Sequence, residues 1–186
     1  VKRVPVMAEA IKILKKEYEN EVPVNVFMVP PFTSLSSYLV DTIKFMMWMR
    51  MEPEKVHRFM EIMTEKFTEI GKVYEEAGAD IITFHEMAAP TDNISPENFE
   101  EFVKPYLKKL IGSFKCKTIL NICGSTDGIV DKMAECGADG ITVDEKASIS
   151  HAREKIDGVK KGYPLIGNIS PKKVIHEGTP EKIRES

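Results

Sequence analysis

Cysteine is scarce: there are three in 186 residues, an odd number at spacings that suit no disulfide framework, with no signal-like segment ahead of them. A scaffold held by disulfides is excluded, and a reducing, cytoplasmic setting is expected. Long apolar runs are missing as well. The longest of note, Phe45-Met46-Met47-Trp48-Met49, is far too short to span a bilayer, so no membrane partner is expected. Nor is there an excess of either charge: 26 Lys and Arg stand against 29 Asp and Glu, a net -3, with the basic residues interspersed with Glu. Without a basic stripe to neutralise phosphates, nucleic acid is not an expected partner. No loop carries GxGxxG or GxxxxGK[ST], so neither phosphate-cradling loop is available.

What is present suffices for one core. At 42% hydrophobic over 186 residues, the chain needs neither disulfide nor structural metal to fold, and a single domain over 1–186 is expected. It begins at Val1, almost at once in a helical pattern (Val4, Met7, Ile11, Leu14), and stops at Ser186 just after Gly178-Thr179-Pro180-Glu181 announces a helix. Both ends therefore read as cut from something longer. Val22 to Val29 reads as a strand stopped by Pro30-Pro31. One helix is expected from about Ser34 to just before Pro53. Glu52-Pro53-Glu54 then opens the longest helix, with Val56, Phe59, Met60, Met63, Phe67, Ile70, Tyr74 and Ala77 at three- and four-residue intervals. At that spacing its methionines are core filler. Ser95-Pro96, Ser170-Pro171 and Thr179-Pro180 each mark a helix start, and Pro105 predicts a kink.

Further strands are expected at Ile81 to Phe84, Ile119 to Ile122, Ile141 to Val143 and Pro164 to Ile166, ending at His85-Glu86, Cys123-Gly124, Asp144-Glu145 and Gly167-Asn168. Glu76-Ala77-Gly78-Ala79-Asp80 is echoed by Glu135-Cys136-Gly137-Ala138-Asp139, each a glycine helix stop leading into a strand with Ile-Thr. The echo sets Glu86 and Glu145 at equivalent strand ends. Alternating units of this kind make an α/β fold. Five strands suffice for a flavodoxin-like sheet, whereas a closed barrel needs about eight. The cut ends favour a partial barrel, as does the polar rim of His85, Glu86, Cys123, Asp144, Glu145 and Asn168. Taken alone, a cysteine at a strand end reads most often as a small apolar side chain. His57, His151 and His176 read as solvated.

Asn121-Ile122-Cys123-Gly124, then Gly137-Ala138-Asp139-Gly140 and Asp144-Glu145-Lys146, then Gly167-Asn168-Ile169-Ser170-Pro171 and Glu177-Gly178-Thr179-Pro180-Glu181 carry a resemblance. From about Pro23 onward the chain resembles the uroporphyrinogen decarboxylase superfamily, and within it the methylcobalamin:coenzyme M methyltransferases of methanogens. The resemblance implies a (β/α)8 TIM barrel, here its central to late part without the N- and C-terminal segments. It implies a zinc-dependent methyltransferase of methanogenesis, moving a methyl group from a methylated corrinoid, presented by a corrinoid protein, to the thiol of coenzyme M. In such enzymes zinc is held by a His-x-Cys pair, a second Cys near the C-terminus and a Glu after the following strand. By resemblance Cys123 matches the first Cys and Glu145 the Glu, both as catalytic metal ligands, and Asn121 stands at the His position.

Asn121 is then a weak oxygen ligand, an orienter of its neighbours, or a sign that this paralogue holds no zinc, with a structural hydrogen bond the favoured use. Coordination to zinc would keep a thiol as thiolate near neutral pH for attack on the methyl group. His85, Glu86, Asp144 and Asn168 would line the mouth that receives the corrinoid. Two other readings stay open: a decarboxylase of the uroporphyrinogen type, against which Ile122-Cys123-Gly124 speaks, and a non-catalytic paralogue that binds the corrinoid protein. A cobalamin-carrying domain would show a DxHxxG motif, and the sequence has none.

Overall fold

The computed structural model describes residues 2–19 and 21–186. Five parallel strands, β1 (Asn25–Met28), β2 (Ile81–His85), β3 (Lys117–Asn121), β4 (Gly140–Thr142) and β5 (Leu165–Ile166), form one sheet in which each pairs with the next. That sequential order decides the architecture. A flavodoxin-like sheet reverses its direction of growth after the first crossover, whereas a barrel adds every strand on the same side. Here β1 and β5 remain the two edges, so the barrel wall is open.

Helix α1 (Val4–Tyr18) precedes β1, and α2 (Pro31–Thr33), α3 (Thr42–Met51) and α4 (Pro53–Glu76) lie between β1 and β2. Between β2 and β3 come α5 (Pro96–Asn98) and α6 (Lys104–Ile111); α7 (Val130–Glu135) follows β3, α8 (Ile149–Val159) follows β4, and α9 (Pro180–Glu185) follows β5. Turns of π-helix cover Ser34–Leu39, Phe99–Val103 and Pro171–His176. No helix among the described residues is long and apolar enough to cross a membrane.

Local chemistry explains where these helices start and break. Ser95, Ser170 and Thr179 accept the N–H groups of Asn98, Lys173 and Lys182, the caps expected before each proline. The single helix expected from Ser34 to Pro53 is instead two. The chain becomes extended at Val40, and Asp41 caps α3 by accepting the Lys44 N–H at 3.0 Å. That break leaves Tyr38, Leu39 and Ile43 exposed and buries Phe45 and Met49. Pro105 has no N–H to offer the preceding turn, which widens so that the Lys104 N–H reaches the Phe99 carbonyl.

The sequence echo is a structural repeat. Gly78 and Gly137 both take positive φ, 104° and 87°, which stops a helix without a Cβ clash. Asp80 then donates its N–H to the Val24 carbonyl and accepts the Val24 N–H on its carboxylate at 2.7 Å; Asp139 does the same with Thr118, at 2.9 Å. Lys15 and Lys117 pair with these two carboxylates. The pairings Ile82↔Thr118 and Ile119↔Gly140 set Asp139 level with Ile82, two residues beyond its equivalent Asp80. Two residues over two strands matches the average stagger of a TIM barrel, about one residue per strand.

Strand alternation sorts the side chains into two layers. Val26, Met28, Ile82, Phe84, Leu120 and Ile141 are buried against the helices and form the core with Phe99, Phe102 and Leu107. Asn25, Phe27, Thr83, His85, Ile119, Asn121, Thr142 and Ile166 take the alternate positions, facing the barrel axis. Phe27 is 56% exposed there and Ile166 45%, because the open wall leaves the inner face uncovered.

Candidate functional site

At the C-terminal ends of the strands the inner face forms a cavity of about 430 Å³. Its wall carries His85 from β2, Asn121 and Cys123 from β3 and the turn after it, Asp144 and Glu145 after β4, and Asn168 after β5. The structure thus brings together every expected site residue except one.

Asn121 lies at the centre. It is paired in register with His85 on one side and Thr142 on the other. Its amide nitrogen lies 3.1 and 3.3 Å from the two ring nitrogens of His85. Its oxygen accepts from the Thr142 hydroxyl and, at 3.8 Å, from the Cys123 thiol. Burial holds the His85 imidazole below its usual range, so it is uncharged at neutral pH, and the Phe27 ring meets it edge-on at 4.6 Å. Lower on the same face the Thr83 hydroxyl donates to the Asn25 amide oxygen at 2.9 Å. Thr142, Thr83 and Asn25 were not singled out from sequence. Their signal was alternation alone: Thr142 stands two residues before Asp144, and Thr83 two before His85.

Past β4 the same alternation turns Asp144 towards the cavity, where it is half-buried and accepts the Lys146 N–H at 3.1 Å, while Glu145, which the resemblance favours as the inward residue, sits exposed at the rim. Asn168 donates its amide to the Ala147 carbonyl at 2.7 Å.

Glu86 does not reach the mouth, contrary to expectation. His85 faces the axis, so the next residue must face the helices. There Glu86 is fully buried: its carboxyl accepts from the Thr33 hydroxyl and from the Thr33 N–H at 3.4 Å, and the Thr33 hydroxyl in turn accepts the Ala88 N–H at 2.9 Å. Burial pushes the carboxyl up to about 8. The echo therefore equates Glu86 and Glu145 in sequence but not in environment.

The three thiols differ as sharply. Cys123 is exposed, whereas burial pushes Cys116 up to about 11 and Cys136 up to about 12. Alkylation with iodoacetamide near neutral pH is expected to modify Cys123 faster than either by on the order of 10-fold, read by peptide mass mapping. Labelling of Cys116 at the rate of Cys123 would contradict the exposure difference.

Zinc prefers four donors in tetrahedral array. Among the described residues no three His, Cys, Asp or Glu groups come together as a metal site. Cys123 and Glu145 line one cavity with Asn121 between His85 and Thr142, but this donor set does not by itself make the zinc centre that the resemblance implies.

The profile of the uroporphyrinogen decarboxylase (URO-D) family matches residues 1–186. The chain belongs to the URO-D family. Among its relatives this URO-D chain is 33% identical over 182 residues to the methylcobamide:CoM methyltransferase MtaA of Methanosarcina barkeri, covering 98% of its own length and 53% of that protein. It is 31% identical over 169 residues to the uroporphyrinogen decarboxylase of Thermodesulfovibrio yellowstonii, covering 88% and 47%. A solved methyltransferase from Methanosarcina mazei matches with a TM-score of 0.90 at 33% identity, over 98% of this chain and 53% of that one. The URO-D chain thus spans about half the length of these relatives, and its fold is the partial TIM barrel expected from sequence.

Proposed function

We propose that this URO-D chain forms the thiol-handling side of a methyltransferase that moves a methyl group from a methylated corrinoid to coenzyme M or a related thiol. The observation that carries the reading is the exposed Cys123 thiol at the barrel mouth, on a chain 33% identical to a protein named a methylcobamide:CoM methyltransferase. In the transfer, the cobalt–carbon bond breaks with its electron pair left on cobalt, the sulfur–carbon bond forms, and the thiol proton is released. The residues of this chain would orient the acceptor. Asn121 and Thr142 line the cavity, the uncharged His85 offers a ring nitrogen, and the barrel mouth admits a corrinoid carried by a second protein.

The relative named a decarboxylase favours a second reading, in which the same mouth takes a porphyrinogen. A third follows from Asn121 at the His position: a non-catalytic paralogue that binds the corrinoid protein. The three are separated by incubating the full-length protein with methylcobalamin and coenzyme M and following the corrinoid spectrum. Thiol methylation is expected, with Cys123→Ala lowering its rate on the order of 10-fold. Decarboxylation of uroporphyrinogen without thiol methylation would establish the second reading. Corrinoid-protein binding with neither reaction would establish the third.

A further inference from the structure

One carboxylate outside the cavity wall ties three mouth loops together. Asp92, in the loop after β2, accepts the Ser125 N–H at 2.8 Å and the Ser125 hydroxyl at 2.9 Å, and lies 3.8 Å from the Lys146 ammonium. Its neighbour Thr91 donates both its N–H, at 2.9 Å, and its hydroxyl, at 2.8 Å, to the Ser125 carbonyl. Ser125 therefore has its N–H, carbonyl and hydroxyl all held by residues 91 and 92. It stands two residues after Cys123, and Lys146 adjoins Glu145. Between Cys123 and Ser125, Gly124 takes φ 95°, and a Cβ there would lie 2.8 Å from the Asp92 carboxylate and 3.1 Å from Pro90. Only glycine permits this approach. The hydrogen bonds from Ser125 hold the Asp92 carboxyl below its usual range.

We propose that Asp92 is a positioning residue, which grips Ser125 and reaches Lys146 so that the Cys123 loop is held at a fixed distance and angle from the Glu145 loop. It touches no substrate. Its effect passes through the peptide of Gly124 to the direction in which the Cys123 thiol faces the cavity. This rests on Cys123 handling the thiol in methyl transfer. A bond that served stability alone would act on the whole fold, and an exposed carboxylate contributes little there. Its action is therefore local.

The test uses the full-length protein with Asp92→Ala, Asp92→Asn and Ser125→Ala. Two quantities are measured: the rate at which iodoacetamide alkylates Cys123, and kcat and KM for methyl transfer from methylcobalamin to coenzyme M. Asp92→Ala is expected to raise the alkylation rate roughly 3-fold as the loop opens. It is expected to lower kcat on the order of 10-fold while leaving KM for the thiol and the melting temperature nearly unchanged. Ser125→Ala, which loses only the hydroxyl bond, falls between. Asp92→Asn keeps an oxygen for the Ser125 N–H and is expected to restore most of both quantities. An unchanged alkylation rate in Asp92→Ala overturns the proposal, as does a kcat loss explained entirely by unfolded protein. If the parent transfers no methyl group, the functional reading fails, and the alkylation rates still decide the role of Asp92.

Discussion

A Glu86→Gln variant is expected to keep its stability from about pH 5 to about pH 9 while the parent loses stability over the same range. The Glu86 carboxyl sits at about 8 in the folded chain against an ordinary value of 4.5. Between those values the folded chain holds a proton that the unfolded chain has released. Stability therefore falls as pH rises through this window and levels off above about 8. At about 1.4 kcal/mol per pH unit, the ceiling on the loss is on the order of 5 kcal/mol. Gln keeps one of the two oxygens that accept from Thr33 and cannot ionise, so its curve should be flat where the parent's slopes. Urea unfolding midpoints of both proteins across the range decide the matter. Parallel curves would show that Glu86 does not carry the pH dependence.

The second large effect belongs to β2, the strand just before Glu86. Phe84→Ala is expected to cost roughly 3–5 kcal/mol. Phe84 is fully buried, level with Met28 on β1 and Leu120 on β3, and its ring lies 5.8 Å from that of Phe114. Phe114 has little freedom to fill the space left behind. Its ring already occupies the notch over Gly71 in α4, where an added Cβ would lie 2.4 Å from it. The truncation should leave a cavity, with the loss appearing in the urea midpoint. A cost under about 1 kcal/mol would mean that the helix layer collapses onto the sheet.

These two residues also mark how far the sequence could be read. Helix starts at Ser95, Ser170 and Thr179 were legible because a cap and its N–H lie three residues apart. The Asp80 and Asp139 units were legible because each is a short continuous string. The order of the strands was not, since five βα units suit either a barrel or an open sheet and only the pairing across the sheet separates them. The break at Val40 was hidden because apolar residues continue at helical spacing on both sides of it, although Asp41 carried a capping signal. The place of Glu86 was less legible, because a polar residue at a strand end suits the mouth by type while alternation after His85 sends it to the helices. Asp92 was missed for a plainer reason: Ser125 lies 33 positions away, and nothing local announces the bond.

The row His85, Asn121 and Thr142 has a consequence for how such a site changes over evolutionary time. Three side chains stand side by side across successive strands, spaced by about 4.8 Å. A functional group exchanged between neighbours in that row stays on the inner face and moves only to the adjacent strand. A barrel can thus carry an imidazole from one strand to the next by two point substitutions, with the loops above and the Asp80 and Asp139 ties below left as they were.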